Sequence, residues 1–189
     1  MRSILFFLGS AVVLLGGCGS SEGPAQPPGT SLERLSLVSH KELNHNTAAR
    51  VHLVCVYDKK LLDKLKAMSS RDYFASVAQL KRDNPKNLSL FHFEMIPAQV
   101  LEDYTPALSR TSDVWGVLLF VDYHGKGSHR TAIKPDFEHA RVVLGKSDIK
   151  TVENVEDQAV TGKESLTLYP TDSLETLDKT ASFEKAAAA

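Results

Sequence analysis

Three polar side chains that lie close together in the sequence are the first candidates for chemistry. Asp122, His124 and His129 combine a carboxylate with two imidazoles, which are groups that bind divalent metal ions. However, no His-Glu-x-x-His motif occurs, and no histidine pair at i, i+4 spacing falls on a predicted helix. We therefore interpret the three as solvated turn residues and predict no metal, with a surface metal site at these positions as the alternative.

Other segments of the chain were compared with the sequence motifs of enzymes, and none has the structural context that its catalytic role requires. Residues 140–147 fit a relaxed phosphate-loop pattern with Ala140 in the first glycine position, but the apolar residues before Gly145 favour a strand. Gly-x-Ser-x-Gly is absent, and Glu102 and Asp103 are adjacent, so a strand points them to opposite faces. We predict that the protein is not an enzyme and takes no cofactor or small-molecule substrate.

The amino-terminal residues have the pattern of a secretion signal. Arg2 precedes an apolar run over residues 4–15, about a dozen residues where roughly 20 are needed to span a bilayer. The run leads into Leu15-Gly16-Gly17-Cys18, which resembles a bacterial lipobox, where the cysteine is lipidated before cleavage. We predict a lipoprotein signal peptide over residues 1–17 and lipidation of Cys18. A plain secretory signal cut near a chance cysteine is the alternative.

The residues after Cys18 indicate where the anchored protein is held. Gly19 occupies the position at which an aspartate is avoided by bacterial lipoproteins sorted to the outer membrane. Residues 18–31 are rich in Gly, Ser and Pro, which is typical of a flexible tether. Acyl chains contribute roughly 0.8 kcal/mol per buried methylene, so several chains give lasting attachment. We predict an outer-membrane lipoprotein that faces the periplasm.

Lipidation of Cys18 leaves Cys55 alone in an oxidising compartment. Cys55 lies in the middle of the alternating, Val-rich segment 51–57, which predicts a strand. A reactive cysteine is instead expected at a helix start or beside a basic group. We interpret Cys55 as a buried thiol of the core.

Composition excludes some function classes and also divides the chain. The 189 residues are 42% hydrophobic, 24% charged and 7% aromatic, with a formal net charge of -1, which argues against a nucleic-acid-binding protein. Residues 147–189 contain nine acids and four lysines, whereas residues 1–146 contain 18 basic and 14 acidic residues. We predict that residues 156–189 form an acidic, disordered tail, because they are polar and negatively charged.

Hydrophobic periodicity predicts short strands interrupted by one helical excursion. Strands are predicted at residues 32–38, 50–57, 88–96, 99–104, 115–121, 129–133, 141–144 and 149–155. Helical spacing of apolar residues predicts helices over 59–68 and 71–81, and the continuous apolar run 115–121 predicts the central strand. This pattern is typical of a mainly β fold, an antiparallel β-sandwich of about seven or eight strands with a short helical insertion, over residues 32–155.

Short motifs along this segment, together with the lipobox, resemble the type VI secretion lipoprotein family TssJ. The resemblance spans residues 32–144. The motifs are a first strand ending in Leu43-Asn44, a Val-rich strand ending in Val56-Tyr57, an Asp72-Tyr73-Phe74 element, a turn at Pro97-Ala98-Gln99, a strand with Gly116-Val117-Leu118, and His129-Arg130. Two segments depart from the family pattern, at residues 46–49 and at Val121-Asp122.

The resemblance implies a transthyretin-like β-sandwich that anchors a secretion complex to the outer membrane. It implies that the partner is the periplasmic part of TssM, an inner-membrane protein, and that the loop between the first two strands contacts it. The partner-binding residues would then be Asn44, His45, Asn46, Thr47, Ala48 and Ala49. Two alternatives stay open: the loop merely connects the strands, or the protein is a binding module of another envelope assembly.

Overall fold

The computed structural model describes residues 25–155; the predicted signal peptide, Cys18 and the acidic tail lie outside them. The chain folds into eight strands and two α-helices within this range. They are β1 (Arg34–Ser39), β2 (Ala49–Val56), α1 (Lys59–Ala67), α2 (Ser70–Asp83), β3 (Leu88–Met95), β4 (Val100–Tyr104), β5 (Gly116–Val121), β6 (Arg130–Ile133), β7 (His139–Leu144) and β8 (Ile149–Asn154). Single 3-10 turns occur at Leu43–His45 and Thr111–Asp113.

The strands form two four-stranded sheets, which confirms the predicted sandwich. The first sheet has the order β4-β1-β7-β8 and the second the order β3-β2-β5-β6. All pairs are antiparallel except β1 and β7, which run parallel from Arg34 opposite His139 to Ser39 opposite Leu144. The sequence predicted only antiparallel strands. Alternation of side chains looks the same for either direction, so the sequence pattern carries no information about this pair.

The two central strands of the second sheet are buried on both faces, so the predicted central position of 115–121 is confirmed. On one face, Val51, Leu53 and Cys55 of β2 pack in the core between the sheets. On the other face, Val54 and Val56 pack beneath the helices. A strand covered on both faces has a continuous rather than alternating apolar sequence, which β5 shows along its length and β2 shows from Leu53 to Val56. In the first half of β2, Arg50 and His52 alternate with apolar residues.

Each helix begins at a side-chain cap and buries one apolar face. The carboxylate of Asp58 accepts a hydrogen bond from the N–H of Leu61 at 2.7 Å, and the hydroxyl of Ser69 accepts one from Asp72 at 3.2 Å. The buried residues recur at helical spacing. They are Leu61, Leu62 and Leu65 of α1, and Tyr73, Phe74 and Leu80 of α2. The helices therefore cover the outer face of the second sheet.

The chain joins the sandwich slightly earlier than predicted. The N–H of Gly29 donates to the carbonyl of Val114 at 3.0 Å, and that of Ser31 donates to Pro135 at 2.7 Å. Leu32 is buried in the core. We call this end of the sandwich, formed by residues 29–33, 105–115 and 134–138, the tether end. The last residues of the predicted tether, 29–31, thus lie on the folded part.

No helix in the described part of the chain is long and apolar enough to cross a bilayer.

The predicted burial of Cys55 is confirmed, since its side chain has no solvent-accessible surface. Burial disfavours the thiolate and raises the pKa of Cys55 to about 12. The thiolate is the reactive form, so neither access nor ionisation permits reaction in the folded state.

We predict that Cys55 reacts with Ellman's reagent only on unfolding. In a Cys18→Ser variant, where Cys55 is the only thiol, labelling at neutral pH should proceed at the unfolding rate and become complete at once in guanidinium chloride. Rapid stoichiometric labelling of the folded chain would contradict the buried position.

Candidate functional site

Four connections between strands meet at the end of the sandwich opposite the tether end. They are residues 40–48, 96–99, 122–129 and 145–148, and we call them together the loop end. The N–H of Ala98 donates to the carbonyl of His40 at 3.2 Å, so the first two connections are bonded to each other. The N–H of Asn44 donates to Lys146 at 2.8 Å, which joins the first connection to the fourth.

Asn44 is the centre of the loop end. Its side-chain oxygen accepts a hydrogen bond from the N–H of His124 at 2.8 Å, and its side-chain amide donates to the carbonyl of Ala48 at 2.9 Å. Its own carbonyl accepts the hydroxyl of Thr47 at 2.7 Å. Asn44 is 1% exposed, so these bonds form away from competing water. One buried amide thus fixes the shape of the loop between β1 and β2.

The backbone of this loop is left-handed over three successive residues. The φ angles are 47° at Asn44, 59° at His45 and 64° at Asn46. Asparagine and histidine are among the non-glycine residues most often found in this conformation, so the local sequence suits the turn. The first strand ends at Ser39, and Leu43-Asn44, which the family resemblance put at its end, lies in the 3-10 turn beyond it.

The structure divides the six predicted partner-binding residues into two groups. His45, Asn46, Thr47 and Ala48 are exposed. Asn44 is buried as described, and Ala49 is 1% exposed in the core as the first residue of β2. Only the four exposed residues have side chains available to a partner. The role of the other two is to hold the loop in place.

We predict that Asn44→Ala destabilises the fold by about 2 kcal/mol, because it removes two buried hydrogen bonds and leaves alanine in a left-handed conformation. Urea unfolding would measure the change. His45→Ala is the matched control, because His45 is also left-handed but its exposed side chain takes no part in this bonding, so it should destabilise the fold by less than about 1 kcal/mol. Equal effects of the two substitutions would show that Asn44 does not organise the loop.

Two of the three candidate metal-binding residues, Asp122 and His124, are placed by contacts that do not form a metal site. Asp122 accepts hydrogen bonds from the guanidinium of Arg50 and lies at the end of β5. His124 is exposed, and its contact with Asn44 is made by its backbone rather than its ring. The candidates therefore do not converge on one point.

His129, the third candidate, is buried and bound to its surroundings, so the prediction that it is a solvated turn residue is wrong. Its ring nitrogens lie 3.2 Å from the carbonyl of Gly125 and 3.3 Å from the carboxylate of Asp148. The ring fills the space beside Gly127, where a Cβ atom would lie 2.5 Å from it. Within residues 25–155, no group of three or more His, Cys, Asp or Glu side chains could hold a metal ion.

A serine, a histidine and an aspartate meet on the outer face of the first sheet, which the sequence did not indicate. Nε2 of His139 lies 2.8 Å from the hydroxyl of Ser36 and 3.5 Å from the carboxylate of Asp103. In a catalytic triad the serine and the aspartate bind opposite nitrogens of the ring, whereas here both approach Nε2. Ser36 is also only 2% exposed. The cluster joins β1, β4 and β7 and has no nucleophile geometry.

The phosphate-loop pattern is also accounted for by the sheet. Residues 139–144 form β7, and the turn that follows is closed by the N–H of Gly145 donating to Asp148 at 2.8 Å. No helix follows the turn, because the chain continues directly into β8. The residues therefore adopt the strand that their apolar side chains predicted.

A buried polar pair attaches α2 to the second sheet. Nδ1 of His52 lies 3.0 Å from the hydroxyl of Tyr73, and Tyr73 stacks on Phe120 with ring centroids 3.9 Å apart. Burial, followed by the nearby His92 and Arg50, lowers the pKa of His52 from 6.5 to about 4, although Asp122 opposes the shift. Burial also raises the pKa of Tyr73, so both side chains are neutral near neutral pH.

We predict that His52 lowers the stability of the fold as the pH is lowered. Because its pKa is lower in the folded state, the unfolded chain binds a proton first, so stability is lost from about pH 6.5 down to about pH 4, by about 2–3 kcal/mol. Urea unfolding at pH values near 7 and 4.5 would measure this loss. In a His52→Gln variant the loss should be smaller by that amount. An unchanged pH dependence would contradict the assignment.

No family model matches the chain, and no curated protein gives a significant match. Several solved structures are similar to it. Lip of Serratia marcescens, a membrane-bound component of the type VI secretion system, has 16% sequence identity and a TM-score of 0.44, and the match covers 66% of this chain and 100% of Lip. The type VI secretion lipoprotein TssJ1 of Pseudomonas aeruginosa has 14% sequence identity and a TM-score of 0.47. This match covers 65% of this chain and 95% of TssJ1.

A third similar structure is the C-terminal domain of the type VI secretion protein TssM from EAEC, with 9% identity and a TM-score of 0.46, covering 65% of this chain and 98% of that domain. The solved structures similar to this chain thus include a lipoprotein that bears the name of the family that the sequence motifs resemble.

Proposed function

We propose that this chain is an outer-membrane lipoprotein that acts as a non-catalytic, structural component of a type VI secretion membrane complex. In this proposal Cys18 carries the lipid, and the loop end binds the periplasmic part of a TssM-like inner-membrane protein. The support comes from the lipobox before Cys18, from the motifs across residues 32–144, and from the arrangement of the sandwich.

The observation that carries the proposal is that the tether end and the loop end lie on opposite sides of the sandwich. The chain joins the fold beside Val114 and Pro135, runs along β1, and reaches the loop between β1 and β2 at the far end. The eight residues of β2 separate the two ends by about 25 Å. A chain anchored through its amino terminus is therefore attached at one end of the sandwich and presents the exposed loop residues at the other end.

The segment between the anchor and the fold is long enough for this arrangement. Residues 19–28 connect Cys18 to Gly29 and span at most about 35 Å when extended. In this proposal the linker, which is rich in Gly, Ser and Pro, keeps the sandwich near the bilayer. In this proposal the lipid on Cys18 keeps the protein at the membrane, and the folded part binds the partner.

The loop is suited to binding because its shape is fixed before a partner arrives. Asn44 holds the loop through three hydrogen bonds, so His45 to Ala48 lose little conformational freedom on binding. Asn46, Thr47 and Ala48 are small and uncharged, which favours shape and hydrogen bonding over charge in the contact. This chemistry needs no catalytic group.

We predict that Cys18→Ser releases the protein from the membrane, because the lipid is lost. Fractionation of the bacterial envelope, with the variant recovered in the soluble periplasmic fraction, would measure this. Unchanged retention in the outer membrane would refute the lipid anchor.

We predict that placing a carboxylate in the exposed loop, as Ala48→Asp, reduces recovery of the inner-membrane partner from native membranes by about tenfold or more, since an unpaired buried charge weakens an interface. Co-purification would measure this. Ser109→Asp introduces the same charge at an exposed residue of the tether end and is the matched control. Equal recovery with both variants would remove the loop from the interface.

A further inference from the structure

One edge of the sandwich is open along a full strand. Within residues 25–155, β3 is the outer strand of the second sheet and pairs only with β2, from Leu88 opposite Val56 to Met95 opposite Ala49. The pairing has no register shift over the eight residues of β3. An edge of this kind presents a row of backbone donors and acceptors to which another strand can bind.

The even-numbered residues of β3 turn their backbone groups toward this open edge. The N–H of Tyr57 donates to the carbonyl of Asn87 at 2.9 Å, in the register of the two strands. Hydrogen-bonded pairs alternate with non-bonded pairs along an antiparallel ladder, so the odd residues of β3 bond to β2. The N–H and carbonyl groups of Leu88, Leu90 and His92 therefore point outward.

The other three edges carry features that discourage pairing. β4 has a register shift next to Asp103, whose φ is 51° and whose N–H already donates to Ser36. β8 has a register shift and the charged residues Lys150 and Glu153. β6 has four residues and lies beside β8. In contrast, β3 contains no Lys, Pro or bulge, which are the usual protections of an edge.

The residues along the β3 edge are arranged symmetrically about Leu90. Lys86 lies four residues before Leu90 and Glu94 lies four residues after it, and both charged side chains are exposed. Leu88 and His92 lie two residues to either side. When two such segments run antiparallel with Leu90 opposite Leu90, each lysine comes beside the glutamate of the other copy. The edge is therefore complementary in charge to itself.

The same alignment satisfies the backbone groups of both edges. Leu90 lies opposite Leu90 of the second copy, and Leu88 lies opposite its His92, so outward groups meet outward groups. Three pairs that each exchange two hydrogen bonds give about six new bonds. A shift by one residue would place outward groups against inward ones, and a shift by two residues would separate each lysine from its glutamate by about 7 Å.

A groove beside β3 is centred on the same point. Its floor is Leu88 to Phe91, and its walls are Lys81 and Pro85 on the helix side and Ala107 on the other. It has a volume of about 400 Å³, which has room for a few residues of extended chain. Because Leu90 lies in the floor, the middle of one β3 strand enters the groove of the other copy, and the reverse holds equally.

A second copy is the occupant that these observations favour. A two-fold pair covers the open edges of both molecules at once, whereas an unrelated segment would cover one. An unrelated segment would also need a lysine and a glutamate at the spacing of Lys86 and Glu94, which a second copy carries without further requirement. The symmetry of the pattern therefore points to a contact of the chain with itself.

The proposed anchor is compatible with such a pair, although the pair does not depend on it. Antiparallel β3 strands place the tether ends of the two copies at opposite ends of the pair. Residues 19–28 span at most about 35 Å when extended, whereas the sandwich is about 25 Å long along β2. Both linkers can therefore reach one membrane that lies alongside the strands.

We propose that two copies of this chain pair through their β3 strands, antiparallel and with Leu90 on the two-fold axis, and so form one continuous eight-stranded sheet. The helices of both copies lie on one face of this sheet and the two first sheets on the other. A contact one strand wide is smaller than the roughly 800 Å² per partner of stable complexes, so we expect a weak dimer. Confinement at a membrane surface would favour it by raising the effective concentration.

Disulfide trapping in the full chain, as a Cys18→Ser variant, tests the register. Leu90→Cys should give a disulfide-linked dimer under mild oxidation, because the Cα atoms of a hydrogen-bonded pair are about 5.5 Å apart. Leu88→Cys and His92→Cys are the matched controls. Each should stay monomeric alone, since it lies about 14 Å from its own equivalent, but the two should crosslink when mixed. Cys55 does not interfere, because it is buried.

Sedimentation equilibrium measures the association without a new covalent bond. At roughly several hundred micromolar the Cys18→Ser chain should be partly dimeric. Lys86→Glu and Glu94→Lys should each weaken dimerisation by about tenfold, because each brings like charges together twice in the pair, and the combined exchange should restore it. Lys41→Glu makes the same charge change at an exposed residue away from the edge and should have little effect.

Three results would each overturn the proposal. The first is a chain that stays monomeric at this concentration, which would leave the edge to a segment of another protein. The second is crosslinking of Leu90→Cys no faster than that of either control alone. The third is a combined charge exchange that dimerises as weakly as the single variants do. Circular dichroism of every variant establishes that the fold is retained, so a negative result counts against the interface.

Discussion

The structure depends on burying β2 and β5 on both of their faces. Seven of the eight residues of β2 are buried, and so are five of the six in β5. A strand of this kind is stable only if another layer covers each side, because apolar surface left in water costs roughly 25 cal/mol per Å². The first sheet covers one face and the helices cover the other. The position of α1 and α2, and hence the route of the chain around the second sheet, follows from this requirement.

The fold could be predicted in large part because the local pattern of apolar residues indicates which strands are buried on both faces. The continuous apolar run at 116–121 and the alternation of Phe91, Phe93 and Met95 each specify how many faces of a strand are covered. What could not be predicted is the parallel pairing of β1 with β7. These strands are about a hundred residues apart, and neither contains a residue that encodes its direction.

The candidate site was predicted less completely, for a related reason. The location of the loop followed from the gap between two strands, but the burial of Asn44 depends on His124 and Lys146, which reach it from distant parts of the chain. A run of asparagine and histidine is a local signal for left-handed backbone, but it does not indicate which of these side chains is buried. Similarly, Ser36, Asp103 and His139 meet through pairing of three strands, which no spacing in the sequence reveals.

The attachment of residues 29–31 also has a mechanical consequence. A pull on the amino terminus, opposed by a contact at the loop end, acts along the axis of β1. This strand lies in the interior of its sheet, between β4 and β7, so the pull loads its hydrogen bonds to both neighbours together and in shear. Bonds loaded side by side share the force, whereas bonds opened from one end fail in turn. The chain is therefore fastened along the direction in which a tethered protein under tension resists extraction best.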